Sequence, residues 1–325
     1  MGERSLPVVL ARRLLQAALA VLVLSALAFA LPRLAAGDPA VALYGADASA
    51  ADRAEVRAAL DLDRPVTEQF GRWVVAAARG DFGRSIRYGQ PALQAVVGRL
   101  PATLALAAAA TLTGVALGLV LGCVCALAAG RLADRVGSAV AAASTAAPGF
   151  WVGLVLVYLF AYRLGWLPFG GLAPPWSDLP LHPSHLILPS LALALREAGR
   201  VGLLLRAGML EALSQPYVRV AAAKGLSATA VGLRHALPNA LLPVVSSAGL
   251  SLSYLMGGAI AVETVFGWPG LGRLMAEAAA SRDFAVLAVG ILVAGIAALI
   301  ANLAADIGYL LVDPRVRVGS APEVD

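Results

Sequence analysis

Uncharged apolar runs long enough to cross a bilayer constrain this chain more than any other feature. Ala102–Ala129 and Gly137–Tyr162 contain no acidic or basic side chain. A helix needs about 20 such residues to span the hydrocarbon core. Six spans are expected, at roughly residues 9–31, 102–129, 137–162, 186–210, 239–262 and 284–311. The fourth is unusual, because it carries Arg196, Glu197, Arg200 and Arg206. Composition agrees: 60% of residues are hydrophobic and 14% charged, against about 45–50% and about 25% in soluble domains. The fold class that follows is an all-α membrane protein of six transmembrane helices with an extracytoplasmic helical insertion.

Arg4, Arg12 and Arg13 precede the apolar run Leu14–Leu31, an arrangement shared with secretory signal peptides. Signal peptides have a shorter apolar core of about 7–15 residues, so a retained first helix is expected. Two cysteines exclude a disulfide framework. Cys123 and Cys125 lie about 200° apart on a helix and cannot share one metal. The net charge of +5 is spread over loops, which points to membrane orientation rather than nucleic acid.

Orientation follows from short-loop Lys and Arg. With both termini cytoplasmic, the inner segments hold Arg4, Arg12, Arg13, Arg131, Arg135, Arg206, Arg219, Lys224, Arg234, Arg315 and Arg317. The short outer loops hold only Arg163, Arg273 and Arg282. Segment 32–98 is balanced, with eight arginines against eight acids, and a long loop crosses largely regardless of charge. Within it, Ser49 is placed to cap a helix over Ala50–Leu60. Val66–Arg79 reads as an amphipathic helix with Phe70, Trp73 and Val74 on one face. Trp73, Trp151, Trp166 and Trp176 sit where interfacial anchors belong.

The loop after the fourth span, Ser214 to Gly225, is the most informative stretch. Ser214 suits an N-cap, Pro216 a first turn, and Gly225 a left-handed helix end. Ser227 caps a second short helix that should stop before Pro238. Such an inner helix either docks into a groove of a partner or lies on anionic lipid.

Residues 219–238 resemble the "EAA" loop of permeases in ATP-binding-cassette importers. Tyr217-Val-Arg-Val-Ala-Ala-Ala-Lys-Gly-Leu226 and Arg234-His-Ala-Leu-Pro-Asn-Ala-Leu-Leu-Pro243 resemble the dipeptide/oligopeptide/nickel permease family. So do Gly37-Asp-Pro-Ala40, Leu62-Asp-Arg-Pro65, Gly80-Asp-Phe-Gly-Arg-Ser85, Val262–Gly272, Arg282-Asp-Phe284 and the run from Asn302 through Asp306 to Arg315. Arg219 replaces the glutamate that names the motif, and Leu203 stands where relatives often carry arginine. The resemblance implies the permease with the large outer N-terminal segment. Residues 1–98 would form the first span and outer region. Residues 99–325 would form the core permease domain. Its partners would be a second homologous permease, two ATP-binding-cassette ATPases and an extracytoplasmic solute-binding protein, in a bacterial inner membrane. Tyr217, Arg219, Ala222, Lys224, Gly225, Arg234, His235 and Pro238 would contact an ATPase. Di- or oligopeptides are the implied solute, with nickel or its chelates as the alternative.

The chain has no Gly-x4-Gly-Lys-Ser/Thr phosphate loop. No cofactor is therefore expected in this chain; ATP and Mg belong to the partner ATPases. Arg196, Glu197 and Arg200 either line the translocation path, as intramembrane charges tend to, or are solvated with Glu197 and Arg200 paired. His182 and His185 share a face if helical and are weak metal candidates; no metal site is assigned. Gly267–Gly272 makes a tight turn that docks the binding protein or covers the pore. An ATPase-independent secondary transporter would place ionisable residues at the midplane of several spans. The uncharged spans oppose it, and a passive scaffold leaves the inner loop unexplained.

Overall fold

The computed structural model describes residues 6–34, 49–51, 54, 64–171, 183–241, 243, 244, 247, 255 and 259–312, with the side chains of the first helix at 15, 16 and 18–30 and those of the last helix up to 304. The expected helix over Ala50–Leu60, most of the fifth span, Trp176 and His182 lie largely or wholly outside them. Among the described residues the secondary structure is helical, apart from one isolated β-bridge between Arg84 and Pro91.

The helices are α1 (Leu6–Leu34), α2 (Val66–Ala78), α3 (Ala92–Val97), α4 (Leu100–Leu127), α5 (Leu132–Ala146) and α6 (Gly149–Leu156). There follow α7 (Ser184–Ser214), α8 (Pro216–Ala223), α9 (Ala228–Val231), α10 (Ile260–Val265), α11 (Leu271–Ala280) and α12 (Phe284–Val312). α1, α4, α7 and α12 occupy the first, second, fourth and sixth expected spans. Among the described residues, Ala92–Leu127 and Phe284–Ala304 are long and apolar enough to cross a membrane. Their exposed Leu112, Val120, Val124, Ile300 and Leu303 suit hydrocarbon rather than water.

The third span is not one straight helix. α5 and the segment Gly149–Arg163 meet at a 107° bend. Ala147 is extended, at φ −69° and ψ 131°. The Pro148 ring disfavours the α conformation of the residue before it, which the uninterrupted apolar run conceals. A wide π-type turn continues α6 over Val157–Arg163.

The chain divides into two compact units. The first comprises residues 1–102 and 270–299. Here Phe29 and Phe70 meet edge-on at 5.3 Å, Trp73 stacks on Phe70 at 6.4 Å, and Phe82 meets Trp73 edge-on at 6.1 Å. Val74, expected on the same face, stays more than a third exposed. Asp81 Oδ1 accepts the Gly83 N–H at 3.0 Å, turning the chain so that Phe82 reaches Trp73. Ala92, Val96, Leu271, Leu274, Val286 and Val289 form the apolar centre.

Asp283 anchors this unit. It is fully buried and caps α12 by accepting the Val286 N–H at 3.2 Å. It also accepts the Ser85 hydroxyl at 2.5 Å and the Arg87 N–H at 3.3 Å. Beside it, Glu277 accepts the Tyr88 hydroxyl at 2.7 Å and Arg273 Nε at 2.9 Å. Partial burial raises the Glu277 carboxyl, but the bonds from Tyr88 and Arg273 outweigh it and hold it below its ordinary value. Burial and the neighbouring Glu277 push the Tyr88 phenol up.

The second unit comprises residues 103–269 and 300–325. α7 is its central element, with α5 and α6 packed against it. α4 meets α7 along a glycine seam. A Cβ on Gly114 would sit 2.7 Å from Glu197 Cβ, one on Gly118 2.6 Å from Val201 Cβ, and one on Gly122 2.8 Å from Leu205 Cβ. Small residues four apart let backbones approach in a membrane, where dispersion rather than water drives association. Glu263 is fully buried and accepts the Thr103 hydroxyl at 2.9 Å, while the Trp268 N–H bonds the Glu263 carbonyl at 2.8 Å. The expected turn is present, with Gly267 at φ 61° and Trp268 completely buried.

Candidate functional site

α7 runs without interruption to Ser214, and a single extended residue, Gln215 (φ −72°, ψ 148°), separates it from α8. Ser214 is therefore not the cap of the short helix. It is the last residue of α7, and its hydroxyl donates to the Glu211 carbonyl at 2.7 Å. The helix start falls on Pro216, whose missing N–H costs nothing in a first turn.

α8 turns Val218 and Ala221 inward against Val231 and Leu213, so it rests on the end of α7 and on α9. Tyr217, Lys224, Gly225, Arg234 and Pro238 stay exposed, and His235 is half-buried. The side chains of Arg219 and Ala222 lie outside the described residues. Gly225 adopts φ +84°, the left-handed conformation that ends a helix. Ser227 then caps α9, accepting the Ala230 N–H at 3.3 Å.

Contrary to the expected stop before Pro238, the helix continues through it to Leu241. A π-type turn over Gly232–Ala236 precedes the proline. The wider turn accommodates the absent proline N–H and the ring that would otherwise meet the Arg234 carbonyl. It also brings Asn239 into place: its Nδ2 donates to the Tyr217 hydroxyl at 3.0 Å and to the His235 carbonyl at 2.9 Å. Asn239 stands directly after the motif proline, within the stretch that carries the resemblance, but its bond to Tyr217 could not be read from that stretch.

The charged face of α7 divides. Arg196 is exposed, whereas Glu197 is buried against Gly114. Arg200 Nη2 donates to Glu197 Oε1 at 2.8 Å and to the Ser247 carbonyl at 2.8 Å. Arg200 thus links α7 to the chain that follows the inner loop. The i,i+3 pair is present, but Glu197 is not solvated. Arg206, one turn and a half further on, makes a two-pronged bond to Asp134 on α5, with Nε to Oδ1 at 2.5 Å and Nη2 to Oδ2 at 2.8 Å. Asp134 drew no attention as a sequence feature, because one acid in an inner loop looks solvated; it is 2% exposed.

The other candidates are quieter. Cys125 is buried beside Gly137, and Cys123 is partly buried. The His185 ring Nδ1 lies 3.3 Å from the Gly170 carbonyl. No group of three metal-ligating side chains occurs among the described residues. Trp151 and Trp166 are exposed, as interfacial anchors would be, while Trp73 is engaged with Phe29, Phe70 and Phe82.

Residues 118–318 match the model of the binding-protein-dependent transport system inner membrane component, and residues 7–107 match the model of its N-terminal region. The chain belongs to this family. It is a membrane permease subunit of an ABC transporter, located in the inner membrane. The family permease is 36% identical over 290 residues to the probable peptide ABC transporter permease protein y4tP of Sinorhizobium fredii, covering 89% of this chain and 92% of that one. It is 34% identical over 308 residues to the oligopeptide transport system permease protein AppB of Bacillus subtilis, covering 94% and 98%. A crystal structure of an amino acid ABC transporter with histidines shares the fold, at TM-score 0.50 and 17% identity over 68% of this chain and 94% of that one.

Proposed function

We propose that this permease forms half of the pore of an importer for di- and oligopeptides. The observation that carries the reading is the match, over most of both chains, to permeases named for peptide and oligopeptide transport. A second homologous permease supplies the other half. Two ATP-binding-cassette subunits hydrolyse ATP with Mg2+, and an external solute-binding protein delivers the peptide. Both termini face the cytoplasm. Residues 1–98 supply the first span and the outer region that receives the binding protein, and residues 99–325 supply the core.

α8 is the coupling helix of this reading. Its apolar residues Val218 and Ala221 are spent on its own support, leaving Tyr217, Lys224 and Gly225 exposed for an ATPase cleft, with Arg234, His235 and Pro238 on the helix that follows. Arg219 and Ala222 complete the ATPase contacts that the resemblance implies. Arg196, Glu197 and Arg200 border the translocation path. ATP binding moves α8, the spans rock open to the outside, the peptide enters, and hydrolysis resets the pore.

The test is purification from the native membrane through a C-terminal tag, followed by reconstitution into liposomes with the co-purifying chains. Recovery of a second permease and ATPase subunits, with ATP-dependent accumulation of di- or oligopeptides, is the expected result. Accumulation of nickel instead would transfer the solute assignment to the metal. Peptide uptake by this chain alone, without an ATPase, would refute the reading.

A further inference from the structure

Asp134 is a carboxylate placed where a permease of this composition could have put another alanine. It stands in the first turn of α5 and is 2% exposed. Its oxygens accept Gly130 N–H at 2.9 Å, the Ser138 hydroxyl at 3.2 Å, and both Nε and Nη2 of Arg206. Two of these partners are local to α5. Arg206 is 72 residues away on α7, eight residues before α7 ends at Ser214 and about 12 Å along its axis at 1.5 Å per residue. Buried ion pairs add little net stability compared with apolar packing, and their best-attested use is to fix the register of one element on another.

The surroundings give that register a direction. α8 is joined to α7 by Gln215 alone and seated on Leu213 through Val218 and Ala221, so a displacement of α8 is carried into the end of α7. The Asp134–Arg206 fork then ties that end to the first turn of α5, whose far end breaks at Pro148. Gly199 leaves the α7 backbone open to Ala141 of α5, so the two helices are also in close contact further along.

We propose that Asp134 and Arg206 form the clamp that makes α5 move with α7, and that both are positioning residues for the coupling of ATP hydrolysis to transport. This rests on the reading of α8 as the coupling helix. Arginine suits the role because its planar fork bonds both carboxylate oxygens at once, whereas a lysine amine is a point charge.

The experiment uses the whole complex with its binding protein in liposomes, and reads two quantities: ATP hydrolysis stimulated by loaded binding protein, and solute taken up per ATP hydrolysed. Asp134→Asn keeps an oxygen for the Gly130 N–H, turns an amide N–H toward the Ser138 Oγ, and loses the charge. Arg206→Lys keeps the charge and loses the fork, and it serves as the reading if Asp134→Asn does not assemble. Stimulated hydrolysis should stay within about twofold of wild type. Uptake per ATP should fall by about fivefold or more in Asp134→Asn, the lower end of measured coupling between sites, with a smaller fall in Arg206→Lys. The Asp134→Asn/Arg206→Lys double variant should be no worse than Asp134→Asn alone. An unchanged ratio of uptake to ATP in both single variants, or losses that simply add in the double variant, would overturn the clamp. A cysteine at Lys224 tests the underlying reading separately. If it does not crosslink to an ATPase subunit in the wild-type background, the coupling-helix reading fails. If it crosslinks while the ratio is unchanged, only the clamp fails.

Discussion

Replacing Gly118 by alanine puts a methyl group into the narrowest part of the α4–α7 seam. The new Cβ would lie 2.6 Å from Val201 Cβ, 2.7 Å from Val201 Cγ1 and 2.9 Å from the Ala198 carbonyl oxygen. Two of these three atoms are backbone or fixed directly to it, so no rotamer change clears the overlap and the helices must separate by roughly an ångström to restore ordinary contact. Overpacking of this kind costs about 1–3 kcal/mol, and the upper end applies because rigid atoms are involved. Alanine returns about 0.5–1 kcal/mol of helix preference over glycine. The net expectation is a loss of about 2 kcal/mol, which lowers the apparent melting temperature by about 4–8 °C at ~2–4 °C per kcal/mol. Gly71 in α2 provides the contrast, because a Cβ there meets nothing within 4 Å. Gly71→Ala should therefore stabilise by about 0.5–1 kcal/mol. Thermal unfolding of the purified complex in mild detergent, followed by loss of monodispersity, reads both. If Gly118→Ala melts with the wild type, the seam is not close-packed and the argument is wrong.

Two further outcomes follow from the geometry. The Glu277 carboxyl lies below its ordinary value in the folded chain, so its contribution to stability is present above its unfolded value of about 4.3 and lost as pH falls through the folded value. Protection of α11 against hydrogen exchange, taken relative to the intrinsic amide rate at each pH, should therefore fall on acidification below about pH 4–5, and Tyr88→Phe, which removes the 2.7 Å donor, should flatten that dependence; an unaltered profile would count against the assignment. Gly225→Val forces a β-branched residue to φ +84° at a cost of about 1–2 kcal/mol or more, and limited proteolysis should cut the turn between α8 and α9 sooner than in the wild type, with equal rates refuting the strain.

Much of the helical plan was legible because lipid-length apolar runs admit little else. The short helix after α7, its glycine end and the Ser227 cap were readable for a similar reason: proline, glycine and serine carry their backbone preferences with them. The misreadings arose where a local rule met a neighbouring geometry. Pro148 lay inside a run without charge, and hydropathy does not register a bend. Pro238 was read as a stop because a regular α-helix has no room for it, whereas a π-type turn makes that room. The Asp134–Arg206 and Ser85–Asp283 pairs join residues 72 and 198 positions apart, and nothing in either local sequence announces its partner. The glycines of α4 were visible at a spacing of four, but only packing against Glu197, Val201 and Leu205 shows which face they serve.

The bend at Pro148 has a consequence for hydration. Where a helix stops and another starts, the last turn of the one and the first turn of the other hold carbonyls and amides with no partner inside their own helix. Ser144 and Thr145 turn their hydroxyls back onto the carbonyls of Val140, Ala141 and Ala142, which lie inside the helix, so these bonds serve neither the carbonyls of the last turn nor the amides that open α6. Hydrocarbon supplies no hydrogen bonds, and each stranded group costs several kcal/mol there. The elbow must therefore be wetted or roofed by other polypeptide rather than bathed in acyl chains. A proline that looks like an interruption in a span thus marks a stretch of backbone that acyl chains alone cannot cover.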